Sequence, residues 1–294
     1  MADTTDRSLI SAAQLNRHKV TYRVVLTLVI VIFTLIFIGP LYFLFTDGLK
    51  STPEAVQVPP TIVPAHVHPG TYASAWSRVG IGRLLVNTLY YAFGALAFQL
   101  VFDVAAAYSL SRLRPVLGNV IFALMLATLM IPATVLVVPQ YVTVSDLPLL
   151  HLNLIGSPEA IWLPSVANAF NIFLLKRFFD SIPAELLAAA AIDGASPLRT
   201  LRSVVLPISR PIIGVVSIFA LVAVWKDFLW PLLVEYGYNP NRETLNVGIF
   251  EAASTTPQNL VLAASAMAAV PTLVFFLFFQ RNILSGLTAG SLKG

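Results

Sequence analysis

The polar residues that could do chemistry in this chain stand inside or beside apolar runs. In the run 212–234, Trp225, Lys226 and Asp227 are consecutive, and Trp230 follows. A sugar has apolar C–H faces and hydroxyls that need partners, so aromatic faces beside a carboxylate suit a polyhydroxylated ligand. The same residues also fit an aromatic belt at a membrane–water boundary, with Lys226 reaching outward. Lys226 and Asp227 point about 100° apart on a helix, so they are not natural partners. In the run 84–110, Ala92, Ala95, Gln99, Asp103 and Ala106 fall within about 80° of one another on a helix. This narrow stripe either faces a wet path or is a close helix contact with Gln99 and Asp103 as hydrogen-bonding glue. Tyr141, Asn168 and Asn171 are weaker candidates that also suit packing.

Other chemistries lack their residues. His66 and His68 form an HxH pair in the Pro-rich stretch VPPTIVPAHVHPGTYASAW. No Asp, Glu or Cys cluster accompanies them, so they read as loop residues and no metal site is expected. All four histidines lie outside the apolar runs, so no set of catalytic residues gathers at membrane depth. There is no GxxxxGK[ST] phosphate loop, so the chain is not expected to hydrolyse ATP or to hold a cofactor. The absence of cysteine excludes disulfides and thiolate metal sites.

The elements that must position these residues follow from composition. The 294-residue chain is 57% hydrophobic and 11% charged, whereas a soluble domain carries about 25% charged residues. The expectation is an all-α, polytopic membrane protein. Apolar runs at 24–46, 84–110, 120–138, 160–179, 212–234 and 260–280 predict six transmembrane helices. Pro132, Pro139 and Pro164 interrupt or bound the third and fourth. The first run is too long for a signal-peptide core and no small-residue cleavage site follows it, so it reads as a retained span.

Basic residues sort between alternate loops. Of the eighteen Lys and Arg, thirteen fall on one side, including Arg17, Arg23, Arg112, Arg114, Arg199 and Arg202. Four (Lys50, Arg78, Arg83 and Arg242) fall on the other, and Lys226 lies within a span. The positive-inside rule then places both termini and the loop 180–207 in the cytoplasm. The predicted divisions are a cytoplasmic segment 1–23, a six-span domain 24–281 and a cytoplasmic tail 282–294. The net charge of +4 reflects this sidedness, and no nucleic-acid partner is expected.

The stretch AAAAIDGASPLRTLRSVVLP, 188–207, is soluble-like between apolar runs. Pro183 and Glu185 suit a first helical turn. Gly194 suits the residue just past a helix end, and Ser196-Pro197 reads as the cap and first position of a second helix. Pro207 is expected to close that helix. Two short helices meeting at a glycine corner either dock in a groove on another protein or lie on lipid headgroups, Arg199 and Arg202 near phosphate.

IPAELLAAAAIDGASPLRTLRSVVLPISRP resembles the cytoplasmic EAA loop of ABC-importer permeases. NTLYYAFGALAFQLVFDVAAAYSLSRLR, FNIFLLKRFFDSIPAEL, WKDFLWPLLV and the tail GLTAGSLKG resemble the carbohydrate-importer branch of that family in the same order. The resemblance implies a coupling helix seated in a cytoplasmic ATPase, formed here by Glu185, Ala188, Ala189, Ala190, Asp193, Gly194 and Ala195. Ala188 stands where the family has its first glutamate, and Ala191 where a basic residue is common. The family often has Asn in place of Lys226. Implied partners are a second, non-identical permease, an ATPase dimer holding ATP and Mg, and an extracytoplasmic solute-binding protein. The bilayer surrounds the chain, and the resemblance places it in the inner membrane. Gln99, Asp103, Trp225, Asp227 and Trp230 are the candidate pathway residues. Besides a sugar, a phosphorylated polyol or another small solute fits the same class. An ion-driven transporter would use Asp103, Lys226 and Asp227 as titrating groups, but leaves the elbow without a purpose.

Overall fold

The computed structural model describes residues 19–289. Arg7, Arg17, Lys293, most of the expected segment 1–23 and the last residues of the expected tail lie outside the described residues. Within them the regular structure is helical, apart from one isolated bridge between Leu147 and Leu152.

The longest apolar runs fold as expected. Helix α1, Lys19–Asp47, has 29 residues, which at about 1.5 Å per residue exceeds the bilayer core. Its side chains from 20 to 38 are exposed, so this helix presents apolar surface outward. Helix α2, Gly70–Leu113, runs for 44 residues and begins well before the expected run. At the far end of the chain, α11 (Gln258–Ala289) contains the third long apolar span.

The other runs are broken, and each break has a local cause. The expected span 120–138 is two helices, α3 (Gly118–Thr128) and α4 (Ala133–Ser145), bent by 107°. Pro132 marks the bend with ψ 130, and α3 ends at Thr128, whose carbonyl the proline ring would meet and leave without an N–H if the helix continued. The expected span 160–179 is not continuous either. One turn at Glu159–Trp162 ends near Pro164, and α5 (Ala169–Asp180) restarts with only 12 residues. Extended Asn168 caps α5 by accepting from the Asn171 N–H at 3.1 Å.

Helices α6 (Ala184–Ile192) and α7 (Pro197–Ile208) form the elbow, and α8 (Arg210–Lys226) leaves α7 at 82°. Pro207 does not close α7. The helix passes it by one residue to Ile208, after a π-helical stretch at Leu201–Val205, and the bend falls at Ser209. The expected span 212–234 breaks at Asp227, after which α9 (Leu229–Val234) is short and α10 (Leu245–Thr255) precedes α11. By length and apolarity α1, α2 and α11 can each cross a membrane. Counting each bent pair as one span gives up to five among the described residues.

Helix α2 is the spine, packed along α5 and α8, while α11 packs against α8 and α1. At the elbow end, Ala107, Leu175, Phe179, Val205 and Val216 form a buried cluster. Toward the other end, Ile81, Leu84, Trp225, Leu245 and Ala264 form a second. Gly94 permits one close approach: a Cβ there would run into the Trp162 indole. The indole Nε1–H donates to the Tyr91 carbonyl at 3.2 Å, which fixes the ring over α2.

Candidate functional site

The elbow is built by local hydrogen bonds. Past the end of α6, the Ala195 N–H reaches the Ala190 carbonyl at 2.9 Å and the Gly194 N–H reaches that of Ala191 at 3.0 Å. These are the two bonds of a Schellman stop, and they place Gly194 at φ +70. Ser196 then caps α7, its Oγ accepting from the Arg199 N–H at 3.4 Å, with Pro197 in the first turn.

The elbow is mounted firmly and presents itself outward. Tyr108 of α2 donates its hydroxyl to the Pro197 carbonyl at 2.9 Å. Arg112 donates to the carbonyls of Phe179 and Ile182, closing the end of α5. Ser111 donates to Asp180 at 2.6 Å, and Lys176 pairs with the same carboxylate at 2.8 Å. Leu187 packs on the buried cluster below. On the outer side Glu185, Ala188, Ala189, Asp193 and Gly194 are exposed together. Ile192 is 86% exposed and Leu198 73%, so the knob presents apolar side chains outward. Ala190 is buried and Ala195 half-buried, so these two belong to the foundation rather than the presented face.

The span candidates divide between two places. Gln99 and Asp103 are buried at 5% and 1% exposure. Asp103 Oδ1 accepts from the Asn168 backbone N–H at 2.9 Å, so this carboxylate ties α2 to the start of α5. That favours the helix-contact alternative for the stripe. Asn171 is also buried, and Tyr141 packs beside Tyr91 and Val144. Tyr141 shares that cluster with Trp230 and Val224, whereas neither Tyr141 nor Asn171 lines the cleft beside Trp225 and Lys226.

Trp225, Lys226, Asp227 and Trp230 surround the α8–α9 break but do not share one surface. Trp225 is 7% exposed and meets Phe275 edge-on at 6.1 Å. Asp227 turns toward α9, its Oδ1 accepting from the Trp230 N–H at 3.5 Å. Trp230 donates its indole N–H to the Ala160 carbonyl at 2.9 Å, on the other side of the break. A cleft of about 460 Å³ opens where α8, α10 and α11 meet. Trp225, Lys226 and Phe228 line it with Asn246, Ser265 and Thr272. Sequence reasoning missed the last three, since single Asn, Ser and Thr residues in apolar helices carry little signal. Phe228 sat unremarked inside WKDFLW.

This arrangement offers an apolar wall, hydroxyl and amide acceptors and one ammonium, which is binding chemistry without a nucleophile–base pair. No group of three or more His, Cys, Asp or Glu suited to a metal occurs among the described residues.

Comparison with known proteins agrees with this geometry. Residues 99–289 match the family described as the binding-protein-dependent transport system inner membrane component. The sn-glycerol-3-phosphate transport system permease protein UgpE of Rhizobium meliloti is 30% identical over 271 residues, 88% of this chain and 94% of that one. The melibiose/raffinose/stachyose import permease protein MelC of Bacillus subtilis is 30% identical over 257 residues, covering 87% and 91%. Among solved structures, a chain of a bacterial ABC transporter involved in the import of the acidic polysaccharide alginate has a TM-score of 0.77 at 21% identity, covering 93% of this chain and 99% of that one. That last likeness is one of fold. The chain therefore belongs to the binding-protein-dependent transport system inner membrane components, as a membrane permease subunit.

Proposed function

We propose that this permease forms half of the translocation pathway of an ATP-driven sugar importer and carries the motion of a cytoplasmic ATPase into the membrane. The carrying observation is the elbow: a rigidly anchored knob whose small and apolar side chains face outward. Ile192 and Leu198 offer a partner apolar surface on the knob, and small side chains at Ala188 and Ala189 admit close backbone approach. Resemblance to import permeases favours the protein partner. The proposed assembly holds a second, non-identical permease, two ATPase copies that bind ATP and Mg, and an extracytoplasmic binding protein that delivers solute.

The broken spans are compatible with six crossings if the turn at Glu159–Trp162 and α5 count as one, with both termini and the elbow in the cytoplasm. The cleft at the α8–α9 break is the proposed solute-facing surface, and alternating access is its mode of action. Proteoliposomes carrying the whole complex test the reading. Uptake should require ATP and the ATPase on the luminal side together with binding protein outside. Uptake that continues without ATP and collapses with an uncoupler would instead identify an ion-driven carrier.

A further inference from the structure

Taking that cleft as part of the pathway, we infer that it selects solutes bearing an acid group on a hydroxylated skeleton, and that Lys226 sets this specificity. Lys226 is exposed and lines the cleft, and no carboxylate lies within ion-pair distance of it among the described residues. Besides reaching outward to a membrane boundary, a lysine at a helix end has two pairing duties, and other groups fill both here.

The first duty would be an ion pair with Asp227, its neighbour. The backbone at Asp227 is extended, with ψ 133, and its carboxylate caps α9 through the Trp230 N–H. The second would be capping the last carbonyls of α8. Asn246 of α10 does that instead, its amide donating to the Trp225 and Asp227 carbonyls at 3.0 and 3.2 Å. The Val224 carbonyl accepts the Asp227 N–H at 3.3 Å. Neither pairing engages the ammonium, which stands at the rim of the cleft.

The rest of the lining holds no acid. Beside α8, α10 contributes Asn246 and Ile249, and α11 contributes Ser265, Ala268, Ala269 and Thr272. The Ser265 hydroxyl donates to the Val261 carbonyl at 2.9 Å, which leaves its lone pairs for a ligand hydroxyl. One cation, several acceptors and an aromatic wall match a solute with hydroxyls, a C–H face and one anionic group. Carboxylate and phosphate oxygens share this chemistry, because both accept charge-assisted hydrogen bonds from an ammonium.

The test uses the whole complex trapped with ATP, in which equilibrium binding is measured with paired probes. Glucuronate and glucose differ by one carboxylate, and glycerol phosphate and glycerol by one phosphate. Wild type should prefer the acid of a pair, and Lys226→Asn should weaken that acid about tenfold or more while leaving its neutral partner unchanged. Lys226→Arg should retain most of the preference. The pair that responds identifies carboxylate or phosphate. Equal losses for acid and neutral probes, or no acid preference in wild type, overturn the inference. Ser265→Leu fills the cleft and separates the two claims. If it leaves binding and uptake of every probe intact, the cleft is not on the path and the underlying reading fails. If it blocks them while Lys226→Asn does not discriminate, only charge selection fails.

Discussion

Replacing Gly194 isolates the corner of the elbow from everything around it. The residue sits at φ +70, yet a Cβ built on it would meet nothing within 4 Å. A side chain there creates no clash, so the whole effect is backbone strain, about 1–2 kcal/mol for an L-residue in the left-handed region. That corresponds to a factor of about 5–30 between the formed corner and its relaxed alternatives. Asn tolerates this region better than Ala, and a β-branched Val is worst. Solute-stimulated ATP hydrolysis by the reconstituted complex should therefore fall in the order Gly, Asn, Ala, Val. Because the corner is exposed and Leu187 anchors the elbow separately, the thermal midpoint of the permease should move little. A Gly194→Val complex with stimulation equal to wild type would refute the reasoning, since it would show that the corner need not hold its shape for coupling.

Three other outcomes follow from the packing. Gly94→Ala forces a Cβ into the Trp162 indole, and should lower the thermal midpoint by an amount equivalent to about 1–3 kcal/mol. Adding Trp162→Leu should recover part of the loss, and an unchanged midpoint in Gly94→Ala would contradict the close contact. Asp103→Leu strips the acceptor from the Asn168 N–H and should destabilise by about 1–3 kcal/mol. Asp103→Asn keeps an acceptor and should transport nearly normally; lost uptake with unchanged melting would put the carboxylate on the path. Glu243, outside the spans, is 2% exposed, and burial followed by the neighbouring Glu251 pushes its carboxyl up to about 7. A raised carboxyl binds its proton more tightly when folded, so its contribution is full below its ordinary value of 4.5 and is lost as pH rises toward about 7. Melting between pH 5 and 8 should show this fall, and Glu243→Gln should flatten it; an identical slope in the variant would assign the effect elsewhere.

What was legible in the sequence was what local rules and long apolar runs determine. Gly194, Ser196 and Pro197 specify a helix stop and restart within three residues, and the structure has both. Helices α1 and α11 run on through Pro40 and Pro271, and α2 continues past Gly80, which takes φ +73. The breaks at Pro132 and near Pro164 had visible causes that hydropathy alone overrode. The break at Asp227 had a visible cause as well: Pro231 has no N–H for the Asp227 carbonyl four residues back, and its ring would clash with that carbonyl in a continuous helix. The break is stabilised by Asn246, nineteen residues on from Asp227, a tertiary contact that no window along the chain reports. The cleft was hidden for the same reason: its lining comes from three helices and includes residues too ordinary to notice singly. Along the stripe on α2, Ala92, Ala95, Gln99 and Asp103 are buried, and the Asn168 N–H bonded to Asp103 favours the helix-contact meaning.

The central claim is that an ATPase grips the elbow. The natural chain has no cysteine, so a single Ala189→Cys is a unique handle on its exposed face. Short-range cross-linking from that position in membranes holding the assembled complex should capture an ATPase subunit, with a yield that changes when ATP binds. Capture of phospholipid alone, with or without nucleotide, would contradict the account.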